Sequence, residues 1–353
     1  MLHILAFRYI FDILGVLAGA LVAFQMWREK DMFHTEGSLC CPMASVIVPA
    51  KGRDVQFRKN VESLMKQDYP NYELIYVVDE EDEAYRELRS MGITPVLTWY
   101  KCSGCSGKVR ALLSGIASSK GDVLVFADSD TEYPPNWLRS LIRPLDRYMA
   151  STLFSWPKPV RLSFRNLMRA GFWTLGFESQ FTGGRFLWGG SMAFRRELFD
   201  QRTMEELSRE WCDDCTMTRI VKSRNGAIAF VGEATPANVY DEENLLRWSS
   251  RQVITIWLHS SRGARAFIVI GWFFLILLAG SLVTGAWLGA TPFILWWFKN
   301  WARSRRLGTW AVWGILMSVP AIFYGLFLLI LNRKRREVEW RGVKYTLPTG
   351  RKP

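Results

Sequence analysis

The chain has 353 residues, enough for one catalytic domain plus membrane helices, and its apolar residues (49% of the total, with 14% aromatic) are unevenly placed. The net charge is +12, but twelve Lys or Arg against two Glu from Lys299 onward account for +10 of it, leaving only +2 for everything before. A nearly balanced body with a basic end is a poor match to nucleic-acid binding and a better one to contact with anionic lipid headgroups.

Residues 10–27 form an apolar run broken only by Asp12 and Gln25, long enough to cross a bilayer. The alternative is a signal peptide, with Arg8 ahead of the apolar core and small residues near Gly19-Ala20. Residues 28–43 read as a polar linker. The segment 45–49 (SVIVP) reads as a buried β-branched strand, 55–67 as an amphipathic helix, 73–79 (ELIYVVD) as a strand and 81–91 as a helix. A short strand over 95–98, a helix over 107–118 and a strand over 122–128 (DVLVFAD) follow. Strands alternating with helices predict an α/β domain with a Rossmann-like, mostly parallel sheet. Beyond residue 150 the pattern predicts an amphipathic helix over 161–181, a Gly-containing strand over 187–194 (LWGGSMAF), a helix over 214–224 and a strand over 227–231. An aromatic helix over 242–259 leads into two further apolar runs, 266–298 and 309–331. The first of these reads either as one tilted helix or as a hairpin turning at Gly280–Gly285. The chain thus divides into an N-terminal transmembrane helix (1–27), a linker (28–43), a catalytic domain (44–241), an interfacial helix (242–262), a C-terminal membrane region (263–331) and a basic tail (332–353).

The acidic residues carry the chemistry. In parallel sheets, ligands bind beyond the carboxyl ends of the strands, where Asp79 and Asp128 both fall. In Asp128-Ser129-Asp130, alternate carboxylates at a strand end can face one hard cation, Mn²⁺ or Mg²⁺, shared with phosphate oxygens. Such a cation would neutralise a departing diphosphate. The plain reading is a polar loop after a strand. Asp79 can accept from a base or ribose, and Pro49 and Lys51 at the end of the first strand line the same edge; the plain reading of Asp79 is a turn residue. Gly107-Lys108 opens a helix whose free N–H groups suit phosphate, with the Lys108 charge beside them. Asp213-Asp214 opens another helix. One of the pair can act as a base toward a hydroxyl while the other orients it, or both serve the helix start. Arg247 can pair with diphosphate and Trp248 can stack on a sugar, or the two are an interfacial anchor.

In their order and spacing these residues resemble the family-2, inverting glycosyltransferases of GT-A fold, whose pattern is D, D-x-D, E/D-D and (Q/R)-x-x-R-W. Here the corresponding positions are Asp79, Asp128 to Asp130, Asp213-Asp214, and Asn244 with Arg247-Trp248. The segments KGRD (51–54), QDYPNYE (67–73), VVDEEDEAY (77–85) and WRGVKY (340–345) are similar to those of ceramide glucosyltransferases and their bacterial and archaeal relatives. The resemblance, over about residues 44–345, implies a metal-dependent hexosyltransferase with Mn²⁺ or Mg²⁺ as cofactor, a UDP-sugar donor and a membrane lipid acceptor. It also implies a multi-pass protein in the lipid bilayer with its catalytic domain in the cytosol, where nucleotide sugars are made. Asp79 would contact the nucleoside, Asp128 and Asp130 the metal and diphosphate, Asp214 would be the catalytic base, and Pro49, Lys51, Lys108, Asp213, Arg247 and Trp248 would complete the donor site. A processive polysaccharide synthase, a polyprenyl-phosphate sugar transferase and a non-catalytic membrane scaffold are the rival readings. Two departures stand out: Asn244 replaces the usual Gln or Arg, and Asp130 stands where animal ceramide enzymes have Gly.

Two C-x-x-C pairs, Cys102–Cys105 and Cys212–Cys215, flank these motifs, the second enclosing Asp213-Asp214. They read as ordinary thiols, which a reducing cytosol keeps free, as redox-active or disulfide-forming pairs, or as ligands of a four-cysteine metal site.

Overall fold

The computed structural model describes residues 2–29, 35–102, 104–182, 185–307 and 312–346. The chain forms two compact units, one of residues 32–156 and 184–240, the other of residues 1–31, 157–183 and 241–353.

The first unit is built on a sheet of seven strands. These are β1 (Ala44–Pro49), β2 (Tyr72–Val78), β3 (Val96–Leu97), β4 (Val123–Ala127), β6 (Ala150–Thr152), β8 (Ser191–Arg195) and β9 (Ile228–Phe230). Their order is β3-β2-β1-β4-β8-β6-β9. The strands from β3 to β4 run parallel, β8 runs antiparallel to both neighbours, and β9 is parallel to β6. The short strand β5 (Thr131–Glu132) pairs with β10 (Ala237–Tyr240) away from this sheet, and β7 (Trp156–Pro159) flanks β10 in the same small sheet. Alternation along each strand divides the core between two faces. Val46, Val48, Val123 and Val125 pack with the Phe57–Met65 helix on one face. Ile47, Val77, Leu124 and Phe126 pack with the Gly107–Ser118 helix on the other. That helix lies tight on the sheet: a Cβ on Gly115 would sit 2.4 Å from the Ile47 side chain.

The mostly parallel α/β architecture is the one the strand–helix alternation predicts. The segment 187–194 departs from it. Instead of one strand, Trp188 to Gly190 turn back and only Ser191–Arg195 is extended. The two glycines let this turn approach other groups more closely than a side chain would allow.

Among the described residues the second unit is mostly helical, and its basic tail forms a hairpin of β11 (Glu337–Trp340) and β12 (Val343–Thr346). The 266–298 run is not one helix. It breaks at Gly285, whose φ of 68° ends the Ser261–Thr284 helix, and resumes as Thr291–Leu307, at the place the hairpin reading named. The third run is also interrupted, between Trp313–Leu316 and Ser318–Leu331; residues 309–311 lie outside the described part. Among the described residues, two helices, Leu5–Glu29 and Ser261–Thr284, are long and apolar enough to cross a membrane. Both polar interruptions of the first run have partners. Asp12 accepts the backbone N–H of Leu288 at 2.9 Å, and Gln25 accepts from Lys299 Nζ at 2.9 Å.

Lys299 and Arg303 do not belong to the basic surface that the sequence predicts for the chain's end. Both are buried, and both meet Glu29 and Glu178. Lys299 Nζ lies 2.9 Å from Glu29 and 3.0 Å from Glu178, and Arg303 Nε donates to Glu29 at 2.9 Å. The guanidinium also covers the Phe177 ring at 4.6 Å. Two cations and two anions neutralise one another here and tie three helices together. Removing one member leaves a buried charge uncompensated, which typically costs about 3–5 kcal/mol. Arg303→Met is therefore expected to lower the thermal unfolding midpoint of the purified chain sharply, and adding Glu29→Gln is expected to restore part of the loss.

Candidate active site

The carboxyl ends of parallel strands point the same way, so Pro49, Asp79 and Asp128 fall along one edge of the sheet. Asp128 follows the last residue of β4, and the antiparallel partner β8 begins beside it, with Ser191 opposite Ala127. This register delivers the Gly189-Gly190 turn to Asp128. A Cβ on Gly190 would stand 2.7 Å from Asp128 Oδ2. Tyr133 clamps the same corner from within the core: its hydroxyl accepts the Asp128 N–H at 2.8 Å and donates to the Gly190 carbonyl at 2.9 Å. Burial raises the Tyr133 pKa well above the ordinary phenol value, so the hydroxyl keeps its proton.

Lys108 is the hub. Ser106 caps the Gly107–Ser118 helix by accepting the Val109 N–H, which fixes the first turn and with it the base of the lysine side chain. The ammonium sits 2.8 Å from Asp128 Oδ1 and 3.0 Å from Asp213 Oδ2. Burial by itself would push its proton off, but the attraction of Asp128 and then Asp213 outweighs this and raises its pKa, so the group is a fixed positive charge.

Asp213 and Asp214 occupy the first turn of the Asp213–Ser223 helix, where the N-cap position is Cys212. Asp214 Oδ1 accepts the N–H of Cys215 at 2.7 Å, and Oδ2 accepts the N–H of Gly189 at 3.1 Å. Burial, followed by the charge of Asp213, nevertheless raises its pKa to about 7, the two N–H donors and Lys108 opposing the shift. A carboxylate so poised can accept a proton near neutral pH.

The cluster of Lys108, Asp128, Asp213 and Asp214 is thus assembled from three separate elements. Asp130 follows it on β4's outgoing loop. Its Oδ1 accepts from the Thr131 hydroxyl at 3.2 Å, and its carbonyl accepts the Val239 N–H, while Ser129 between the two acids donates to Asp54 at 2.6 Å. Asp79 lies on the same sheet edge in a second group, half exposed, with Arg110 at 3.1 Å and Lys51 at 3.8 Å. Arg247 and Trp248 belong to the other unit. There Asn244, the departure from the family motif, caps the Leu245–His259 helix by accepting the Arg247 N–H at 3.0 Å. Arg247 meets Glu339 of the tail hairpin at 3.0 Å. Trp248 lies under the Arg169 guanidinium, 4.5 Å away, which in turn meets Glu242 at 2.9 Å.

Sequence reasoning missed Tyr133, Arg110 and the Gly189-Gly190 turn. The glycine doublet inside an apolar strand was a usable signal of close approach; Tyr133 had none. The cysteine pairs are not free thiols in this structure: Cys102 is joined to Cys105 and Cys212 to Cys215. Each pair lies just ahead of or in the first turn of a helix, with Cα atoms 5.9 and 5.5 Å apart, within disulfide reach.

Residues 45–203 match the family model "Glycosyl transferase family 2". A mannosyltransferase from Pyrobaculum calidifontis, solved with GDP-Man and Mn²⁺, superposes with a TM-score of 0.52 at 17% identity, over 94% of this chain and 98% of that one. The glucosyl-3-phosphoglycerate synthase of Mycobacterium tuberculosis, solved with Mn²⁺, UDP and glucosyl-3-phosphoglycerate, gives 0.43 at 20% identity, over 61% of this chain and 79% of that one. A search of curated proteins finds no match. Residues 45–203 thus match a family 2 glycosyltransferase domain, and the fold is GT-A.

A methyl group at Gly190 cannot coexist with Asp128 where it stands. Gly190→Ala is expected to displace the carboxylate and cut transfer activity by about 10²-fold, the scale of a 1 Å misplacement in an active site. Circular dichroism and the unfolding midpoint should change little.

Proposed function

We propose that the chain transfers a hexose, with inversion, from a nucleotide diphosphate sugar to a hydroxyl group of a membrane lipid. UDP-glucose or a similar UDP-hexose is the donor we favour, and ceramide or an analogous lipid the acceptor. The observation that carries the reading is the juxtaposition of a base poised near neutrality, Asp214, with a carboxylate–ammonium pair, Asp128 and Lys108, suited to a diphosphate and its cation.

Asp128 and Asp130 fit a divalent cation. They are hard oxygen donors on alternate residues, and Asp128 already holds a cation, the Lys108 ammonium, at 2.8 Å. Mn²⁺ or Mg²⁺ held there would supply positive charge to the leaving diphosphate. Lys108 adds a fixed charge beside it. Asp214 takes the proton from the attacking hydroxyl, while Asp213, paired with Lys108, holds the helix turn that aims it. Asp79, with Lys51 and Pro49 along the same edge, receives the nucleoside. That Asn244 serves as a helix cap supports reading the motif's first position as structural in this chain.

The lipid acceptor rests on a different argument. Leu17, Leu21, Ile276, Leu282 and Val283 on the two long apolar helices expose half or more of their side-chain surface, an arrangement that demands an apolar surrounding. We read these helices as membrane spans, with the catalytic domain on the cytosolic side where nucleotide sugars are made. The Pyrobaculum calidifontis mannosyltransferase, bound to GDP-Man, makes GDP-mannose the second donor to test.

The test is transfer of radiolabel from UDP- and GDP-sugars into total lipid, with and without Mn²⁺ or Mg²⁺. An organic-extractable product that needs the cation and disappears in Asp214→Asn is expected. Label confined to an aqueous polymer would point to a polysaccharide synthase instead, and nucleotide binding with no transfer from any donor would overturn the enzyme reading. The rate per donor concentration should rise with pH through about 7 as the Asp214 carboxylate forms, since below that value the base is protonated. Removing the neighbouring charge in Asp213→Asn should move this limb to lower pH, because that like charge adds to burial in holding the proton on.

A further inference from the structure

Both carboxylate oxygens of Asp214 are tethered. Oδ2 accepts from Gly189, and Oδ1 accepts from Cys215, at 3.1 and 2.7 Å. Oδ1 also lies 2.9 Å from Sγ of Cys212, and Cys212 is joined to Cys215 across the first turn of the same helix. The disulfide therefore closes a ring around the base. One backbone N–H of that ring donates to Oδ1, and one of its sulfurs lies against it. A disulfide sulfur has no proton, so the contact gives Oδ1 no hydrogen bond. Among the described residues, Asp213 on its own helix raises the proton affinity of the carboxylate, and Lys108 from the Gly107–Ser118 helix, which also holds Asp128, lowers it.

We infer that Cys212 and Cys215 are positioning residues for Asp214: their bond fixes the direction of the carboxylate and keeps it basic, and opening the bond weakens the base. The inference rests on Asp214 being the proton acceptor. Cys215 is half-buried and Cys212 fully buried, so exchange starts at Cys215. A thiolate of a small dithiol attacks Cys215 Sγ and releases Cys212, which takes up a proton. The second thiol of the reagent then displaces Cys215, which is protonated in turn, and the reagent leaves as a cyclic disulfide, so two electrons and two protons have passed to the protein. Cys212, freed and protonated in the first exchange, lies against Asp214 Oδ1. Its S–H now donates to Asp214 Oδ1, and a hydrogen bond to the charged form lowers basicity. One such bond to a charged group corresponds to about tenfold in proton affinity.

The experiment uses the 353-residue chain with Cys102→Ser and Cys105→Ser, so that dithiothreitol acts on one pair only. Alkylation and peptide mass, without reductant, should find Cys212 and Cys215 joined. Difference infrared spectroscopy, with Asp214→Asn as the subtracted reference, then follows the Asp214 carboxyl band against pH and needs neither donor nor acceptor. The expected midpoint, near 7 in the closed form, falls by about one unit when dithiothreitol opens the bond, a tenfold change. Cys215→Ser should show the lower midpoint without reductant. Free thiols in protein purified without reductant, or one midpoint in both states, would overturn the inference. Sugar transfer by Asp214→Asn tests the base reading separately: wild-type rates there would sink that reading, whereas an inactive variant with an immobile midpoint would sink the positioning role alone.

Discussion

Everything in the catalytic unit is organised around a single ammonium group placed between carboxylates. Asp128, Asp213 and Asp214 are drawn into one small region, and three acids cannot share a poorly hydrated site unless a cation offsets them. Lys108 is that cation, at 2.8 Å from one acid and 3.0 Å from another. Its placement requires three elements to end at the same point: the capped start of the Gly107–Ser118 helix, the carboxyl end of β4 and the start of the Asp213–Ser223 helix. The compensation is uneven. Asp128 and Asp213 share the ammonium directly, whereas Asp214 receives two backbone N–H groups and has its pKa raised to about 7, chiefly by burial. An arrangement of acids that differ in this way separates charge binding from proton transfer.

The same region is packed as closely as backbone allows. Gly190 touches the Asp128 carboxylate and Gly189 touches Asp214, so the turn between them serves as a wall and as a hydrogen-bond donor together. Tyr133 ties this wall to the start of the D-x-D loop through two bonds at 2.8 and 2.9 Å. The sheet supplies the rigidity beneath: β1 and β4 are buried on both faces, and their carboxyl ends lead into the segments that hold Lys51 and Asp128.

The helical unit solves a different problem with related physics. Its long helices expose apolar side chains along most of their length, yet its interior holds four charged groups in mutual contact. Lys299 and Arg303 are therefore part of the fold, while Arg333, Lys334 and Arg335 remain at the surface. The RW motif is likewise held by charge: Glu242 fixes Arg169, Arg169 covers Trp248, and Glu339 of the tail hairpin meets Arg247.

The sequence by itself determined the α/β alternation, the position of each acidic motif relative to a strand end or helix start, and the apolar runs. Those features are local: β-branched alternation and helix capping act over a few residues, so ELIYVVD and DVLVFAD announce both a strand and the acid that closes it. Tertiary structure alone decided which charges meet. Nothing in the spacing says that Lys108 reaches over to Asp213 more than a hundred residues later, that Tyr133 grips Gly190, or that Asp12 and Gln25 interrupt an apolar helix because Leu288 and Lys299 await them. Nor does it say that Cys212 lies against the carboxylate two residues on, or which of the two readings of the 266–298 run holds. Coulombic and hydrogen-bonding partners are chosen by distance in space. That distance is set only when the sheet register and the helix packing have brought remote segments together.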